Sequence, residues 1–526
     1  MSADGAGPEG GRASGDRAAR AAIACALLAA AAAAALFAAV VALRFSHPYE
    51  LEWMEGGMLA HVRRVLDGRP VYAKPDLEFV SYLYPPLYYW AGALASLVVG
   101  EGFGALRGVS VASTLAVCAL LVRIAHRESG RFAGGLVAAG LLLAGYERSG
   151  AWLDLARADA FYLAWIVLAV ERLRASSSTA SAVQAGLAVA AAFFVKQSVA
   201  VIAAPVWLVL LAVDRRRAFA AALGAGVPIA LGTLALDAAH DGWFLYYTFT
   251  VPRAHPLEPG QGAAFLTRDL LATYGFALAL FGAYAAQVAA RVRAHRARSA
   301  PSAPRPAAGD ALFAAFLVGA AASSGSVRAL VGAHTNNLLP VFAAASLCAG
   351  VAFDAFAARG GRAAVLAGAA VVAQVALLAY DPRPLVPTAR DVAAGDALVA
   401  RLAAIDGDVW IPNHGYLARR AGKREYAHTL AIDNLLLDDF GPARRDLEAE
   451  LVRGLAERRF AAVVIESDGR YGGLAQRFYG AGAPLFAADD VFFCVSGGRI
   501  RPETLYGAGA PPPLGADTAA PSAPSR

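Results

Sequence analysis

The chain has 526 residues, 58% of them hydrophobic and only 17% charged, with a formal net charge of +6. A soluble protein carries about a quarter of its residues charged. Here the mean hydropathy is +0.48, and long Ala/Leu/Val runs alternate with short Arg-bearing loops, which excludes an ordinary soluble enzyme. The arginines flank the apolar runs and read as topology signals, so nucleic acid is not expected as a partner. Cys25, Cys118, Cys348 and Cys494 are scattered, a spacing that suggests neither a disulfide framework nor a metal cluster.

Residues 1–20 are polar and Gly-rich, with Arg12, Arg17 and Arg20, and read as a disordered cytoplasmic segment. The run Ala21–Leu43 that follows is longer than the roughly 7–15 apolar residues of a cleaved signal peptide, so it is expected to be an uncleaved first span. Further arginine clusters, at Arg123/Arg127/Arg131, Arg172/Arg174, Arg215–Arg217, Arg291–Arg298 and Arg359/Arg362, mark the cytoplasmic side. An even number of crossings must separate any two of them. Between Arg20 and Arg123 lie three apolar segments, which breaks parity. Pro86–Val99 is short and opens with Pro85-Pro86, so it is assigned as a juxtamembrane or re-entrant helix inside one large external loop, residues 44–107. The remaining apolar runs pair as hairpins up to Ala363–Leu378.

The expected fold class is an α-helical polytopic membrane protein of about 11 spans, occupying residues 21–380, with the N-terminus inside. Several first-half spans read as roughly 11–15 residues against the ~20 that crossing requires. Their outer ends, near Asp154, Arg157, Asp159 and Lys196, therefore imply a polar cavity open to the outside. From Asp381 the apolar runs shrink to strand length (Val409–Ile411, Ala461–Ile465, Val491–Val495) and alternate with helical patterns such as Pro442–Arg459. Residues 381–506 are expected to form a small C-terminal extracytoplasmic α/β domain, and residues 507–526, rich in Pro, Ala and Ser, a disordered tail.

Candidate chemistry begins in the first external loop, with Glu50, Glu52 and Glu55 just after the first span. Glu52 and Glu55 are three apart and would share a face on a helix. Close carboxylates raise one another's pKa, which suits a general base near neutral pH. Asp154, Arg157 and Asp159 form a second polar cluster, with Asp159 opening a span where a helix N-terminus favours a carboxylate. Lys196, one of three lysines in the chain, sits at a hairpin tip. A lone Lys at membrane depth is expensive, and a phosphate partner would account for it. Arg253 and His255 in TVPRAHPLEPG, and Arg328 and His334 in SVRALVGAHTNNLLP, are further external groups able to bind phosphate or a lipid headgroup. The sequence contains no GxSxG, HExxH or Walker loop.

Taken in order, an acidic pair after the first span, LDGRPVY, YPPLYYW and Arg107 opening the next span resemble the GT-C superfamily. The similarity is to bacterial relatives of the dolichyl-phosphate-mannose protein mannosyltransferases and the aminoarabinose transferases. Glu55 to Gly68 and Pro85-Pro86-Leu87 match the spacing of that family's first loop. LARADAFYLAW resembles its second-loop Asp motif, FFVKQS its Lys hairpin and HTNNLLP its late external loop, over about residues 20–380. Met54 stands where the family has Asp before Glu, so both Glu52 and Glu55 are carried as candidate bases.

The resemblance implies an inverting glycosyl transfer on the extracytoplasmic face of a bacterial inner membrane. The donor would be a polyprenyl-phosphate sugar, and the acceptor a glycan, lipid or protein. Glu52, Glu55 and Asp159 would be catalytic, and Arg157, Lys196, Tyr84, Arg253, His255, His334 and Asn336 substrate-binding, with no metal or other cofactor. A lipid-linked sugar transporter or flippase, which would show repeated halves with broken helices, and a non-catalytic membrane scaffold are the alternatives.

Overall fold

The computed structural model describes residues 8–297, 306–466, 470–507 and 513–515. Its first nine helices are α1 (Pro8–Arg44), α2 (Glu55–Leu66), α3 (Leu87–Val99), α4 (Phe103–Ser129), α5 (Ala133–Ala144), α6 (Asp159–Ala175), α7 (Thr179–Phe193), α8 (Val199–Val213) and α9 (Arg215–Ala239). Two short turns, α10 (Trp243–Leu245) and α11 (Gln261–Ala264), run into π-helical turns at Tyr246–Thr250 and Phe265–Leu271. The apolar part closes with α12 (Ala272–Ala297), α13 (Pro306–Arg328), α14 (Leu339–Ala357) and α15 (Gly361–Leu377).

This is an integral membrane protein. Among the described residues six helical segments are long and apolar enough to cross a membrane: Gly15–Arg44, Phe103–Ser129, Arg215–Ala239, Gln261–Ala294, Gly309–Arg328 and Thr335–Ala357. Eleven crossings would also require α5, α6, α7, α8 and α15, which have 12 to 17 residues. The expected shortness holds for α5, α7 and α8; it fails for α6, which has 17 residues, and for α4, which runs 27 because the helix starts at Phe103 and continues through Arg123 and Arg127. Helix also replaces disorder over part of the N-terminus, since α1 starts at Pro8; residues 1–7 lie outside the described residues, as does most of the expected tail.

Lipid tails are as apolar as leucine, so membrane helices are held by close packing of small residues rather than by hydrophobic burial. Gly134 of α5 and Gly350 of α14 show how close. A Cβ on either would strike the other's carbonyl oxygen. Gly368 of α15 meets the backbone of Ala22 on α1 in the same way, and Gly186 of α7 that of Ala221 and Gly224 on α9. Every residue of α14 but Ala355 and Ala357 is buried, so this helix forms the centre of the bundle.

After the apolar part come α16 (Ala389–Ala403), β1 (Val409–Trp410), α17 (Gly415–Arg420), α18 (Thr429–Leu435), α19 (Pro442–Ala456), β2 (Ala462–Ile465), α20 (Gly472–Tyr479), β3 (Ala483–Pro484) and β4 (Thr504–Gly507). The sheet order is β1-β2-β4-β3. β1 runs parallel to β2 with Val409 opposite Ala462, and β4 is antiparallel to both its neighbours. Two of the three expected strands are present. The third, Val491–Val495, is not a strand. Its end is tied to the first loop instead, the N–H groups of Val495 and of Ser496 just beyond it both donating to Leu51 O.

Candidate active site

The segment Glu50–Glu55 is a tight turn between the end of α1 and the start of α2, and two buried arginines fix it. Arg44 donates to both oxygens of Asp154 at 2.6 and 2.7 Å and to Ala151 O and Ser496 Oγ at 2.8 Å, tying the exit of α1 to the α5–α6 connection. Arg107, in the second turn of α4, donates to the carbonyls of Phe45, His47 and Tyr49 and to both oxygens of Glu55. Both guanidiniums are 0% exposed. Such forked, planar donors suit carboxylates whose position must be exact to a fraction of an ångström.

The three carboxylates of the turn have three different fates. Glu55 accepts from Arg107, from Leu51 N at 2.7 Å and from Ala156 N at 2.6 Å, so both its oxygens are used. Burial pushes its pKa up, but Arg107 and the two backbone donors outweigh that and hold it below the usual range. Glu52 is also fully buried. One oxygen accepts from Arg157 Nη1 at 2.7 Å and from Met54 N at 3.2 Å, while Oε1 has no hydrogen-bond partner among the described residues. Burial raises its pKa to about 7, with Arg157 pulling the other way. Glu52 and Glu55 do not share a helix face, because α2 starts only at Glu55 and Glu52 lies in the turn before it. Glu50, which the sequence does not carry as a candidate base, is 5% exposed and paired with His414 Nδ1 at 2.5 Å.

From Glu52 a line of polar groups runs to the membrane helices. Arg157 donates to Tyr84 OH at 3.2 Å and lies over the Trp152 ring at 5.5 Å. Lys196 Nζ sits 5.4 Å from the Tyr84 ring centre and 2.5 Å from Asp159 Oδ1. Asn336 donates to the same Asp159 oxygen at 2.9 Å. Asp159 is the first residue of α6, and its side chain turns to Lys196 and Asn336 rather than capping the helix. Among the described residues Arg157 Nε and Asp159 Oδ2 are buried without a partner, like Glu52 Oε1. Three orphaned buried polar atoms along one line is a pattern that native proteins tolerate mainly where something else completes them. A small cavity opens here between Asp159, Tyr162, Lys196, Ser198, Ser323 and Asn336. Next to it, along the same helices α6 and α8, is an apolar cavity of about 250 Å³ lined by Ile166, Val170, Val199, Ile202 and Trp207 among others.

Of the residues singled out from sequence, Glu52, Arg157, Tyr84, Lys196, Asp159 and Asn336 thus come together. His334 is beside them, its ring 6.0 Å from Trp152, with burial and then Arg157 lowering its pKa. Arg328 pairs with Asp269. Arg253 and His255 are not brought to this line. Arg253 is exposed, and His255 contacts Asn434 of α18 at 3.1 Å. Sequence reasoning missed His414, His428, Trp152 and Gly497. His428 Nε2 contacts Trp53 O, and a Cβ on Gly497 would meet Trp152 and Glu52. Trp152 stands two residues before Asp154 of the second polar cluster; the other three lie outside every motif, and only the fold joins them to the loop.

No protein-family model matches the chain, and no curated protein matches it in sequence. Solved structures do. ArnT from Cupriavidus metallidurans bound to undecaprenyl phosphate superposes with a TM-score of 0.57 at 13% identity, over 92% of this chain and 98% of that one. Its apo state gives 0.58 at 13% identity, over 91% and 97%. The archaeal oligosaccharyltransferase AglB from Archaeoglobus fulgidus, in complex with an inhibitory peptide and a dolichol-phosphate, gives 0.52 at 13% identity, over 87% and 71%. ArnT and AglB are both GT-C superfamily members, and at this identity what is shared is the fold. The resemblance read from the loop motifs is met at that level: the chain has the GT-C fold.

Proposed function

We propose that this chain is a membrane glycosyltransferase that moves a sugar from a polyprenyl-phosphate-linked donor to an acceptor on the extracytoplasmic face, with inversion and with Glu52 as the general base. The observation that carries the choice of base is the orphaned Oε1 of Glu52, on a buried carboxylate whose pKa is raised to about 7. A base works best with its pKa near the operating pH and a free lone pair for the incoming proton. Glu55 offers neither. The lipid-phosphate donor is supported by the undecaprenyl phosphate and dolichol-phosphate in the two structures that share the fold. In this chain the fitting groups are Lys196, which has N–H groups beyond the one given to Asp159, and the apolar cavity beside it.

The chemistry balances with residues of this chain alone. The acceptor oxygen attacks the anomeric carbon, the bond from that carbon to the phosphate oxygen breaks, and the acceptor's proton passes to Glu52 Oε1. The prenyl phosphate leaves as an anion that Lys196 and Arg157 stabilise, so no general acid is required. Asp159 and Asn336 hold Lys196 in place. Residues 381–506 would be an extracytoplasmic domain covering this loop, and eleven spans would put the first loop and that domain on one side of the membrane.

The test is transfer from a polyprenyl-phosphate sugar by the purified protein. Glu52→Gln should lower turnover at least 10³-fold while the protein still binds polyprenyl phosphate, the scale expected when a base and its charge are lost together. Full activity in Glu52→Gln would remove the assignment. Movement of intact lipid-linked sugar across vesicles without transfer would favour a flippase.

A further inference from the structure

The acidic turn is held from two sides, and the second side belongs to the C-terminal part of the chain. Leu51 O accepts from Val495 N at 3.0 Å and Ser496 N at 2.9 Å, and Trp53 O meets His428 Nε2 at 3.1 Å. The remaining anchor is ionic. Glu50 Oε1 accepts from Gly56 N, in the first turn of α2, at 2.9 Å, while Oε2 lies 2.5 Å from His414 Nδ1. The other ring nitrogen of His414 is 3.0 Å from Glu466 Oε1, at the end of β2, out of line for a good hydrogen bond but well within ion-pair range. Asn413 holds the second oxygen of Glu466 at 2.7 Å. His414 is 3% exposed and therefore sits buried between two carboxylates from opposite ends of the chain.

We propose that His414, clamped between Glu50 and Glu466, is a positioning residue whose bound proton locks the Glu50–Glu55 turn and so aims Glu52 at the substrate. This rests on the reading of Glu52 as the base. A turn with Glu52 two residues beyond a pinned Glu50 has little room to swing, whereas one released at Glu50 loses the tie to Gly56 that sets where α2 begins. Other titratable groups face the clasp too: Tyr416 on α17, whose hydroxyl contacts Glu50 N, and His47, Asp391 and Cys494 around the same small cavity. None of them touches His414 as Glu50 and Glu466 do. Burial lowers the pKa of His414, but Glu50 and Glu466 more than reverse this, while burial raises that of Glu50 against the pull of His414. Both shifts keep a proton between Glu50 and His414 at neutral pH, and the clasp opens as His414 loses its proton at higher pH.

The experiment uses the full chain with His414→Asn and Glu466→Gln. Loss of the clasp should lower kcat about 10²-fold in His414→Asn, the cost of a small misplacement of a catalytic group, with KM for the polyprenyl-phosphate donor unchanged. In Glu466→Gln, activity at neutral pH should be kept, and the alkaline limb of the pH profile should move down by at least one unit, because one of the two carboxylates holding the proton is gone. A merely structural contact would not move that limb. Nitrogen-15 NMR of the histidines gives the same titration without turnover, the His414 signal being the one lost in His414→Asn. Full activity in His414→Asn, or superimposable Glu466→Gln and parent profiles, overturns the proposal. A His414 midpoint near the ordinary 6.5 overturns it as well, and does so even if the parent protein transfers no sugar, which would count against the functional reading alone.

Discussion

Three glutamates within six residues have chemically unlike surroundings, and the difference lies in which donors reach each oxygen. Glu55 is saturated by Arg107 and two backbone N–H groups, Glu50 is locked to His414, and only Glu52 keeps a bare oxygen. The consequence for Glu55 is structural. Neutralising one member of a buried, hydrogen-bonded ion pair leaves the other uncompensated and costs about 3–5 kcal/mol. Glu55→Gln should therefore lower the thermal midpoint of the purified protein sharply, and a variant as stable as the parent would contradict the saturated geometry. The sign of its pH dependence follows from its depressed pKa. The stability that Glu55 supplies is present above its ordinary value of 4.5 and is lost as pH falls through the lower folded value. Acid should thus unfold the parent by a step that Glu55→Gln lacks. Sequence spacing alone made Glu52 and Glu55 equivalent, because the donors that separate them come from α4 and from the α5–α6 connection, 52 and 101–105 residues away.

At the scale of helices, the ends of apolar runs and their arginine punctuation were readable, since hydropathy and charge are local properties. Ala21–Leu43 fell inside α1, and Val199–Val213 coincides with α8. What could not be read was how the helices approach one another. The glycines of α5 and α14 look unremarkable in an Ala/Gly-rich chain, yet Gly134 and Gly350 face each other with no space for a methyl group. Since packing of small residues replaces the hydrophobic effect between membrane helices, adding bulk there should force the two helices apart. Gly350→Leu is expected to cost at least the 1–3 kcal/mol typical of overpacking, read as a lower midpoint of thermal unfolding in detergent. By contrast Gly226→Leu on α9, where a Cβ would meet nothing within 4 Å, should leave that midpoint within a degree or two. Equal losses at both positions would mean that the α5–α14 contact is not a close one. The last expected strand failed for a related reason. Val491–Val495 has strand composition, but the end of that segment is spent on Leu51, a partner some 440 residues earlier that no local pattern discloses.

Across the whole molecule, the membrane bundle brings two cations to one end and the C-terminal part closes over the loop from the other, so that Glu52 is enclosed by both. Its surroundings set the pH at which it can act. Burial alone would lift its pKa well above neutrality, and the Arg157 guanidinium at 2.7 Å pulls it back to about 7. A base must be ionised to accept a proton, so sugar transfer should rise with pH through about 7, and with the alkaline limit set by His414, whose proton its two carboxylates hold above the ordinary imidazole range, the profile should be a broad bell. The two limbs have separate owners. Arg157→Gln removes the attraction that favours ionised Glu52, so its acid limb should move to higher pH, while its alkaline limb, set by Glu50 and Glu466, should stay where it is. Arg157→Gln should also bind polyprenyl phosphate more weakly, because it removes one of the two cations of the proposed donor site. Profiles of kcat against pH for the parent, Arg157→Gln and Glu466→Gln separate these effects. If both limbs move together in either variant, Glu52 and His414 titrate as one coupled group, and the division of labour between bundle and C-terminal part is wrong.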